Sequence, residues 1–158
     1  MNYFFVFQNK TYDKEMHGNF LWAPQGKCSH WKNMTNIHKG DVIFHSYHKK
    51  IVAISIAESN CYAASQPKGL FPEGLWQENG WKVDCQYYIM KYPIVTSDYM
   101  EDILKLQPTK YAPFNRIGRG NTGYLFNCTK ELASFLVEKL TIMNKDTIKT
   151  IGVFNISI

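Results

Sequence analysis

The sequence predicts an α+β domain in which a small, mostly antiparallel sheet curls towards a β-barrel and is flanked by helices. Three observations support this fold class. Short runs of β-branched and aromatic residues recur along the chain, two of them form a hairpin pattern, and the clearest amphipathic helix lies near the end. The predicted order is β-β-β, a long loop, β, helix, loop, β and helix, which is typical of small curled sheets.

A hairpin pattern occupies the centre of the predicted sheet. Two β-branched runs, Asp41–Phe44 and Ile51–Ile56, flank the polar and basic connector Ser46–Lys50. In the second run bulky and small residues alternate, so that Ile54 belongs to a bulky face and Ser55 to a small one. The small face predicts a groove that a ligand approaches, and a well-packed neighbouring element is the alternative.

The other strands follow from similar patterns. The apolar run Asn2–Gln8 predicts a central strand, and Phe20–Pro24 predicts a short extended piece that proline ends. Trp81–Lys91 alternates as a further strand that ends at Pro93, and Gly123–Asn127 is a short strand. The segments between the elements are predicted to be irregular, namely Asn9–Gly18, Gln25–Ser29, Asn60–Gly80 and Tyr111–Thr122.

Three segments are predicted to be helical. His30–Asn36 allows a single turn, Ser97–Lys105 predicts a short helix, and Thr129 caps an amphipathic helix that runs to Leu140. Residues 141–158 are mixed polar and β-branched, and they are predicted to be a C-terminal tail or linker. The predicted domain is therefore residues 1–140.

Composition favours a nucleic-acid partner. The chain has 158 residues, of which 45% are hydrophobic and 20% charged, as expected for a single globular domain with a real core. Its net charge is +5, and aromatic residues make up 15%. A basic surface with many aromatic rings suits a polyanion whose bases stack, although a basic protein without an anionic partner is the alternative.

The cysteines indicate a reducing compartment. Cys28, Cys61, Cys85 and Cys128 include no CxxC pair, and the apolar start is too short for a secretory or membrane segment. We therefore predict reduced thiols, a cytoplasmic location and no membrane partner. Cys28-x-His30 and His45-x-x-His48 match no zinc framework, so neither a metal nor another cofactor is predicted.

The motifs of the common catalytic folds are missing from the sequence. It contains no P-loop, no GxGxxG, no GxSxG and no HExxH. We therefore predict a non-catalytic recognition domain. A small hydrolase that uses a cysteine–histidine pair is an alternative, but the sequence favours none of the cysteines for that role.

Aromatic and basic residues are the candidate binding groups. Trp22, Trp76 and Trp81 have indole faces that could stack on a flat base, and packing in the core is the alternative. Arg116 and Arg119 lie in a glycine-rich loop, where a nucleic-acid backbone could approach closely. An ordinary solvent-exposed loop is the alternative. The other predicted backbone contacts are Asn115, Asn121, Lys49 and Lys50.

Several of these segments together resemble the EVE/YTH branch of the PUA-like superfamily. The matching segments are FLWAP, KGDVIFHSYHKKIVAISIAES, GLWQENGWKVDCQYYIMKYPI and PFNRIGRGNTGYLF, in this order between Tyr3 and about Leu140. The sequence is most similar to the modified-DNA-binding N-terminal modules of methylation-dependent restriction proteins of the type IV, McrB-type or HNH-linked kinds.

The resemblance implies an aromatic cage for a flipped, methylated base. Trp22 matches the cage tryptophan that follows the first strand, and Trp76 and Trp81 match a later W-x4-W arrangement. Ser46 and Tyr47 at the hairpin connector are expected to complete the cage. The arginine-bearing loop matches the segment that meets the nucleic-acid backbone. Ala23 and Pro24 follow Trp22 where YTH domains carry serines, which leaves the identity of the base open.

These inferences lead to one predicted function and two alternatives. We predict a DNA-binding module that recognises a modified base and targets a restriction or anti-phage nuclease. Its predicted partners are modified DNA and a nuclease or AAA+ motor on another domain or subunit. The alternatives are a module that binds modified RNA, as YTH and PUA relatives do, and the cysteine–histidine hydrolase.

Overall fold

The computed structural model describes residues 1–26, 29–70 and 79–154. In this part of the chain, seven strands form one sheet in the order β2-β6-β4-β3-β1-β7, and β5 pairs with β6 away from this path. The strands are β1 (Tyr3–Phe7), β2 (Phe20–Pro24), β3 (Val42–Tyr47), β4 (Lys50–Ala57), β5 (Tyr62–Ser65), β6 (Asn79–Val95) and β7 (Leu125–Cys128).

The helices lie between and after these strands. They are α1 (Tyr12–Gly18), α2 (Ser29–Lys32), α3 (Met100–Leu106) and α4 (Lys130–Ile151), with 3₁₀ turns at Asn33–Asn36 and Thr96–Tyr99. Only β1 and β3 pair in parallel, and every other strand pair of the described sheet is antiparallel. The predicted α+β class with a curled, mostly antiparallel sheet is therefore confirmed.

The core has two parts, one on each face of the sheet. On one face, Phe5 and Phe44 pack against the apolar side of α4. On the other face, Phe4 and Val6 pack inside the curl with residues from β2, β6 and β7. Successive residues of a strand point to opposite faces, so β1 is apolar throughout because both of its faces are buried.

Helix α4 is longer than the sequence suggested. Thr129 caps it as predicted, since its hydroxyl accepts a 3.0 Å hydrogen bond from the backbone N–H of Leu132. The helix does not stop at Leu140. It kinks at Asn144, whose backbone is not helical (φ −127°, ψ 37°), and then continues to Ile151, and Ile148 and Ile151 are buried. Residues 141–151 are thus packed helix and not a linker. Their polar and β-branched residues are weak helix formers, and tertiary packing overrides that preference.

Strand β6 also runs past its predicted end. It continues through Pro93 to Val95, although proline cannot donate to a sheet ladder. The register between β4 and β6 shifts between Ile51 and Ala53, so Pro93 falls in an irregular stretch of the ladder. Asn144 of α4 supplies the missing partners there, because its side chain bonds both the N–H (3.0 Å) and the C=O (2.9 Å) of Tyr92.

Two segments predicted to be irregular contain regular structure. Helix α1 lies within Asn9–Gly18, and Asn19 ends it in the left-handed conformation (φ 57°, ψ 48°). Strand β5 lies within Asn60–Gly80 and pairs with β6. The prediction missed α1 because its buried side is marked by only Tyr12 and the polar residue Glu15. None of the described helices has both the length and the apolar character that a membrane crossing requires.

Candidate functional site

A cavity of about 500 Å³ opens between strand β2 and the adjoining ends of β1 and β7. We call it the aromatic cavity, and its wall includes Phe7, Thr11, Trp22, Trp31 and Tyr124. Strand β2 is at the end of the strand order and β7 is at the other end, so the curl of the sheet brings the two ends towards one another here. The volume is typical of small-molecule sites in proteins.

A buried carboxylate joins the walls of this cavity. Glu15 of α1 is fully buried, and its Oε2 accepts a 3.0 Å hydrogen bond from the backbone N–H of Trp22 on β2. Oε1 accepts a 2.5 Å bond from the Thr11 hydroxyl, and Oε2 also accepts from the Tyr124 hydroxyl. Three separate segments of the wall are thus fixed to a single side chain.

Burial changes the acidity of this carboxyl. Loss of hydration raises the pKa of Glu15 to about 7, and the hydrogen bonds from Thr11, Tyr124, Trp22 and Gln8 limit the rise by stabilising the charged form. Neither of the two salt bridges between described residues involves Glu15. Its charge is therefore balanced by hydrogen-bond donors of the cavity wall.

A second buried network extends from the cavity into the curl of the sheet. The Nδ1 atom of His45 lies 2.7 Å from Gln8 Oε1, and its Nε2 atom lies 2.6 Å from Ser55 Oγ. An amide oxygen only accepts, so Nδ1 carries the proton and Nε2 accepts from Ser55. Gln8 then donates to Tyr87, which donates to the carbonyl of Phe20. Burial lowers the pKa of His45 to about 3, so the ring is neutral.

This network decides between the two interpretations of strand β4. The small face was predicted to line a groove or to meet a well-packed neighbour. Ala53 and Ser55 are both completely buried, and Ser55 bonds to His45. The small face therefore meets packed side chains, and the groove prediction is wrong. Small residues are needed on this face of β4 because the rings of His45 and Tyr87 occupy the interior of the curl, with their centroids 4.4 Å apart.

The predicted cage tryptophans are not all brought together. Trp22 borders the aromatic cavity, but its side chain is only 1% exposed and packs with Phe20 and Leu70. Its indole N–H donates to the carbonyl of Ala64 at 3.1 Å. In the β2–β6 register Trp22 is opposite Lys82, so Trp81 points to the other face and packs with the interior core. Trp76 lies outside the described residues. Spacing along the sequence does not reveal this alternation between β2 and β6.

The two connector residues assigned to the cage lie elsewhere. Ser46 is buried, and its carbonyl accepts from the N–H of Gln8 at 2.9 Å. The ring of Tyr47 contacts the ring of Tyr12, with centroids 5.2 Å apart. Neither residue lines the aromatic cavity. The hairpin connector instead borders a neighbouring cleft.

Several of the residues predicted to contact the nucleic-acid backbone line that neighbouring cleft. It has a volume of about 660 Å³ and lies between the hairpin connector and the glycine-rich loop. We call it the basic cleft, and its wall includes Ser46, Lys49, Arg119 and Asn121. Phe7, Asn9, Thr122 and Gly123 line both the basic cleft and the aromatic cavity. The two hollows are therefore adjacent and share a wall.

The other residues predicted to contact the nucleic-acid backbone do not line the basic cleft. Asn115 and Arg116 line a further depression of about 910 Å³, which shares Phe114, Asn121 and Thr122 with the basic cleft. Asn115 holds the loop in shape, since its side chain accepts from the N–H groups of Ile117 (3.1 Å) and Arg119 (3.0 Å). Lys50 is exposed and borders neither the aromatic cavity nor the basic cleft. The loop turns at Gly118 (φ 82°), where a Cβ would also strike Met100 at 2.6 Å.

Several wall residues were not predicted from the sequence. Trp31 was assigned to a helical turn, Tyr124 to a strand, and Thr11 and Glu15 to an irregular segment. Gly26 offered one signal, because a Cβ at that position would lie 2.4 Å from the indole of Trp31. A glycine a few residues before a tryptophan is nevertheless too common to identify a site.

The described thiols do not form a nucleophilic centre. Burial raises the pKa of Cys61 to about 11 and raises the pKa values of Cys85 and Cys128 further. The Cys85 thiol donates to the carbonyl of Val83, and the buried His45 is occupied by Gln8 and Ser55. A thiol with a raised pKa is a poor nucleophile at neutral pH. Cys28 lies outside the described residues.

No family model matches this sequence, and no curated protein matches it. Solved structures do match its fold. The Rhodopseudomonas palustris protein Rpa0253 is 14% identical with a TM-score of 0.56, and the match covers 90% of this chain and 95% of that one. The YTH domain of Zygosaccharomyces rouxii MRB1, in complex with N6-methyladenosine RNA, is 7% identical (TM-score 0.60; 88% and 86% covered).

A third match is human THYN1 in complex with 5-methylcytosine-containing DNA. It is 12% identical, its TM-score is 0.55, and the match covers 89% of this chain and 98% of that one. Identities this low establish the fold alone. The chain therefore has the curled α+β fold that YTH domains share with THYN1.

Proposed function

We propose that this chain is a reader of modified nucleic acid, and that it accepts one base in the aromatic cavity. The observation that carries the proposal is the shared wall between the aromatic cavity and the basic cleft. A base that leaves its strand remains tied to the sugar–phosphate backbone, so a base site needs a backbone site directly beside it. Phe7, Asn9 and Thr122 are positioned to serve both.

The wall of the aromatic cavity suits a planar, methylated ring. Trp31 and Tyr124 are partly exposed and provide aromatic surface, and stacking contributes about 1–3 kcal/mol per base. Trp22 borders the cavity, but its side chain is only 1% exposed and offers almost no stacking surface. Trp76 remains a predicted member of the cage on sequence grounds alone. Hydroxyl and carbonyl groups of the wall would meet the edge of the base and so orient it.

The basic cleft suits the phosphates. Lys49 reaches it from the hairpin connector, and Arg119 reaches it from the glycine-rich loop. A guanidinium group pairs with phosphate in a forked geometry, whereas an ammonium acts as a point charge. Both contacts would be independent of sequence and weakened by salt. Arg116 and Lys50 would contact the backbone only farther from the base.

The fold neighbours support this class of function. The yeast YTH domain was solved with N6-methyladenosine RNA and human THYN1 with 5-methylcytosine DNA. We propose DNA as the ligand of this chain, since the sequence most resembles modified-DNA-binding restriction modules. The reader would be non-catalytic and would target a nuclease or AAA+ motor on another domain or subunit.

Competition binding tests the proposal. A labelled duplex with one modified base is challenged with the same duplex unmodified, and with RNA that carries the same modification. We expect the modified duplex to compete at least tenfold better than the unmodified one. Stronger competition by modified RNA would favour the RNA-binding alternative. Equal competition by modified and unmodified nucleic acid would contradict the proposed function.

A further inference from the structure

An isoleucine lies exposed at the tip of the glycine-rich loop. Ile117 is 74% exposed, more than any other large apolar residue in the part of the chain that the structure describes. Arg116 precedes it, and Gly118 and Arg119 follow. Single exposed apolar residues are common on protein surfaces, so the exposure of Ile117 matters only because of where the residue lies.

The loop that carries Ile117 has a fixed shape. Residues 114–120 form a short finger, and the two ends of the finger pair as an antiparallel bridge. The N–H of Asn115 donates to the carbonyl of Arg119 at 2.8 Å. The side chain of Asn115 in turn accepts from the N–H groups of Ile117 (3.1 Å) and Arg119 (3.0 Å). The tip of the finger therefore needs little further ordering when a ligand binds.

The finger lies against the wall that the aromatic cavity and the basic cleft share. A Cβ on Gly120 would lie 3.2 Å from the ring of Phe7, and Phe7 lines both hollows. Gly118 and Arg119 line the basic cleft as well. Because Gly118 follows Ile117 directly, the exposed isoleucine is the neighbour of a residue in the wall of the basic cleft.

The two arginines of the finger border different hollows. Arg119 lines the basic cleft, and Arg116 lines the depression of about 910 Å³. Ile117 lies between them along the chain, so the apolar tip of the finger is flanked by cations. This pattern suits a double helix, which has apolar base faces in its interior and phosphates along both strands.

We propose that the finger enters duplex DNA beside the modified base, and that Ile117 fills the space from which this base has moved. Extrusion of a base leaves its partner unpaired and opens the stack. Isoleucine is one of the apolar side chains that DNA-bending proteins insert between base steps. Arg116 and Arg119 would pair with phosphates of the DNA. This inference rests on the proposed function and narrows its ligand to duplex DNA.

The proposed contact distinguishes a duplex from a single strand. In a duplex the extruded base leaves a gap between two stacked neighbours, and an isoleucine that fills this gap is removed from water. A single strand has no partner base to unpair and no continuous stack to restore. Ile117 should therefore add much to the binding of a duplex and little to the binding of a single strand.

The test compares one sequence in two forms. An oligonucleotide with one 5-methylcytosine is used as a fully paired duplex and as a single strand, a second set carries N6-methyladenine, and the unmodified forms are measured alongside. Dissociation constants are determined for the intact chain, Ile117→Ala, Ile117→Leu and Ile142→Ala. Ile142 of α4 is the matched control, since it is 67% exposed and lines neither the aromatic cavity nor the basic cleft.

We expect Ile117→Ala to weaken binding of the modified duplex about tenfold, as burial of an aliphatic side chain allows, and binding of the single strand less than about twofold. The substitution removes no charge, so the slope of log K against log salt should not change. Ile117→Leu should retain most of the duplex affinity, and Ile142→Ala should retain all of it. Thermal unfolding should give the same midpoint for Ile117→Ala and the intact chain, because the replaced side chain is exposed.

The outcomes separate this inference from the proposed function. Preferential binding of a modified probe, with losses in Ile117→Ala that are equal for duplex and single strand or absent from both, would overturn the role of Ile117 alone. Binding of modified single strands without binding of modified duplexes would do the same. An intact chain that binds no modified probe better than its unmodified form would overturn both.

Discussion

The carboxylate of Glu15 accepts a 3.0 Å hydrogen bond from the backbone N–H of Trp22, at the open edge of strand β2. Through the same side chain, this edge is connected to Thr11 ahead of α1 and to Tyr124 ahead of β7. The ends of a curled sheet leave unpaired backbone groups, which must be satisfied or hydrated. Here a buried carboxylate satisfies one of them and at the same time shapes the wall of the aromatic cavity.

The first prediction concerns which tryptophans bind the base. Trp31→Ala should weaken binding of a modified base by about 1–3 kcal/mol, the contribution of one stacking ring. Trp81→Ala is the matched control, because Trp81 packs against the same interior core as Trp31 but does not line the aromatic cavity. It should lower stability and leave the ratio of modified to unmodified binding unchanged. Loss of that ratio in Trp81→Ala alone would contradict the placement of the site.

The second prediction concerns the basic cleft. Arg119→Ala should weaken binding to modified and unmodified duplexes alike, and should reduce the slope of log K against log salt by about 0.9 if one phosphate contact is lost. Lys50→Ala removes one positive charge outside the basic cleft and should alter the slope less. Equal slopes for the intact chain and Arg119→Ala would remove this arginine from the interface.

The third prediction concerns the pH dependence of stability. The folded pKa of Glu15, about 7, lies above its ordinary value of 4.5, so this carboxyl contributes stability at low pH that is lost as the pH rises from about 4.5 to 7. The folded pKa of His45, about 3, lies below its ordinary value of 6.5, so this ring contributes stability that is lost as the pH falls from about 6.5 to 3.

The two slopes oppose one another between about pH 4.5 and 6.5. We therefore expect the free energy of unfolding of Glu15→Gln to rise with pH in this window, by up to about 1.4 kcal/mol per pH unit relative to the intact chain. Urea unfolding at several pH values measures this difference. Parallel curves for the two proteins would show that Glu15 has an ordinary pKa.

The fourth prediction concerns the second half of α4. Asn144→Ala removes both hydrogen bonds to Tyr92 and should destabilise the fold by about 1–3 kcal/mol. Lys145→Ala, one residue further and exposed, should change stability by less than about 0.5 kcal/mol. Similar unfolding midpoints for the two variants would indicate that residues 141–151 contribute little to the fold.

Local patterns predicted most of the sheet. The hairpin of β3 and β4, the strand at Phe20–Pro24 and the Thr129 cap all depend on residues close together in sequence, and all three are confirmed. The errors have long-range causes. Helix α1 has a buried face with an ionisable residue on it, because Glu15 bonds to Trp22 of β2 and to Tyr124 just ahead of β7, which is 109 residues away along the chain.

The candidate site was predicted only in part. Trp22 borders the aromatic cavity with a buried side chain, and Lys49, Arg119 and Asn121 meet in the basic cleft. Trp81 does not join Trp22, because the register of β2 against β6 decides the face of each residue. Trp31 and Tyr124 come from segments that meet only when the sheet curls. No local pattern in the sequence brings those segments together.

The most direct test of the central claim is the structure of the chain bound to a short oligonucleotide that carries one modified base. We predict that this base lies in the aromatic cavity against Trp31 and Tyr124, with its backbone along the cleft that holds Lys49 and Arg119. A bound oligonucleotide whose modified base is ordered elsewhere, with the cavity left empty, would contradict the account.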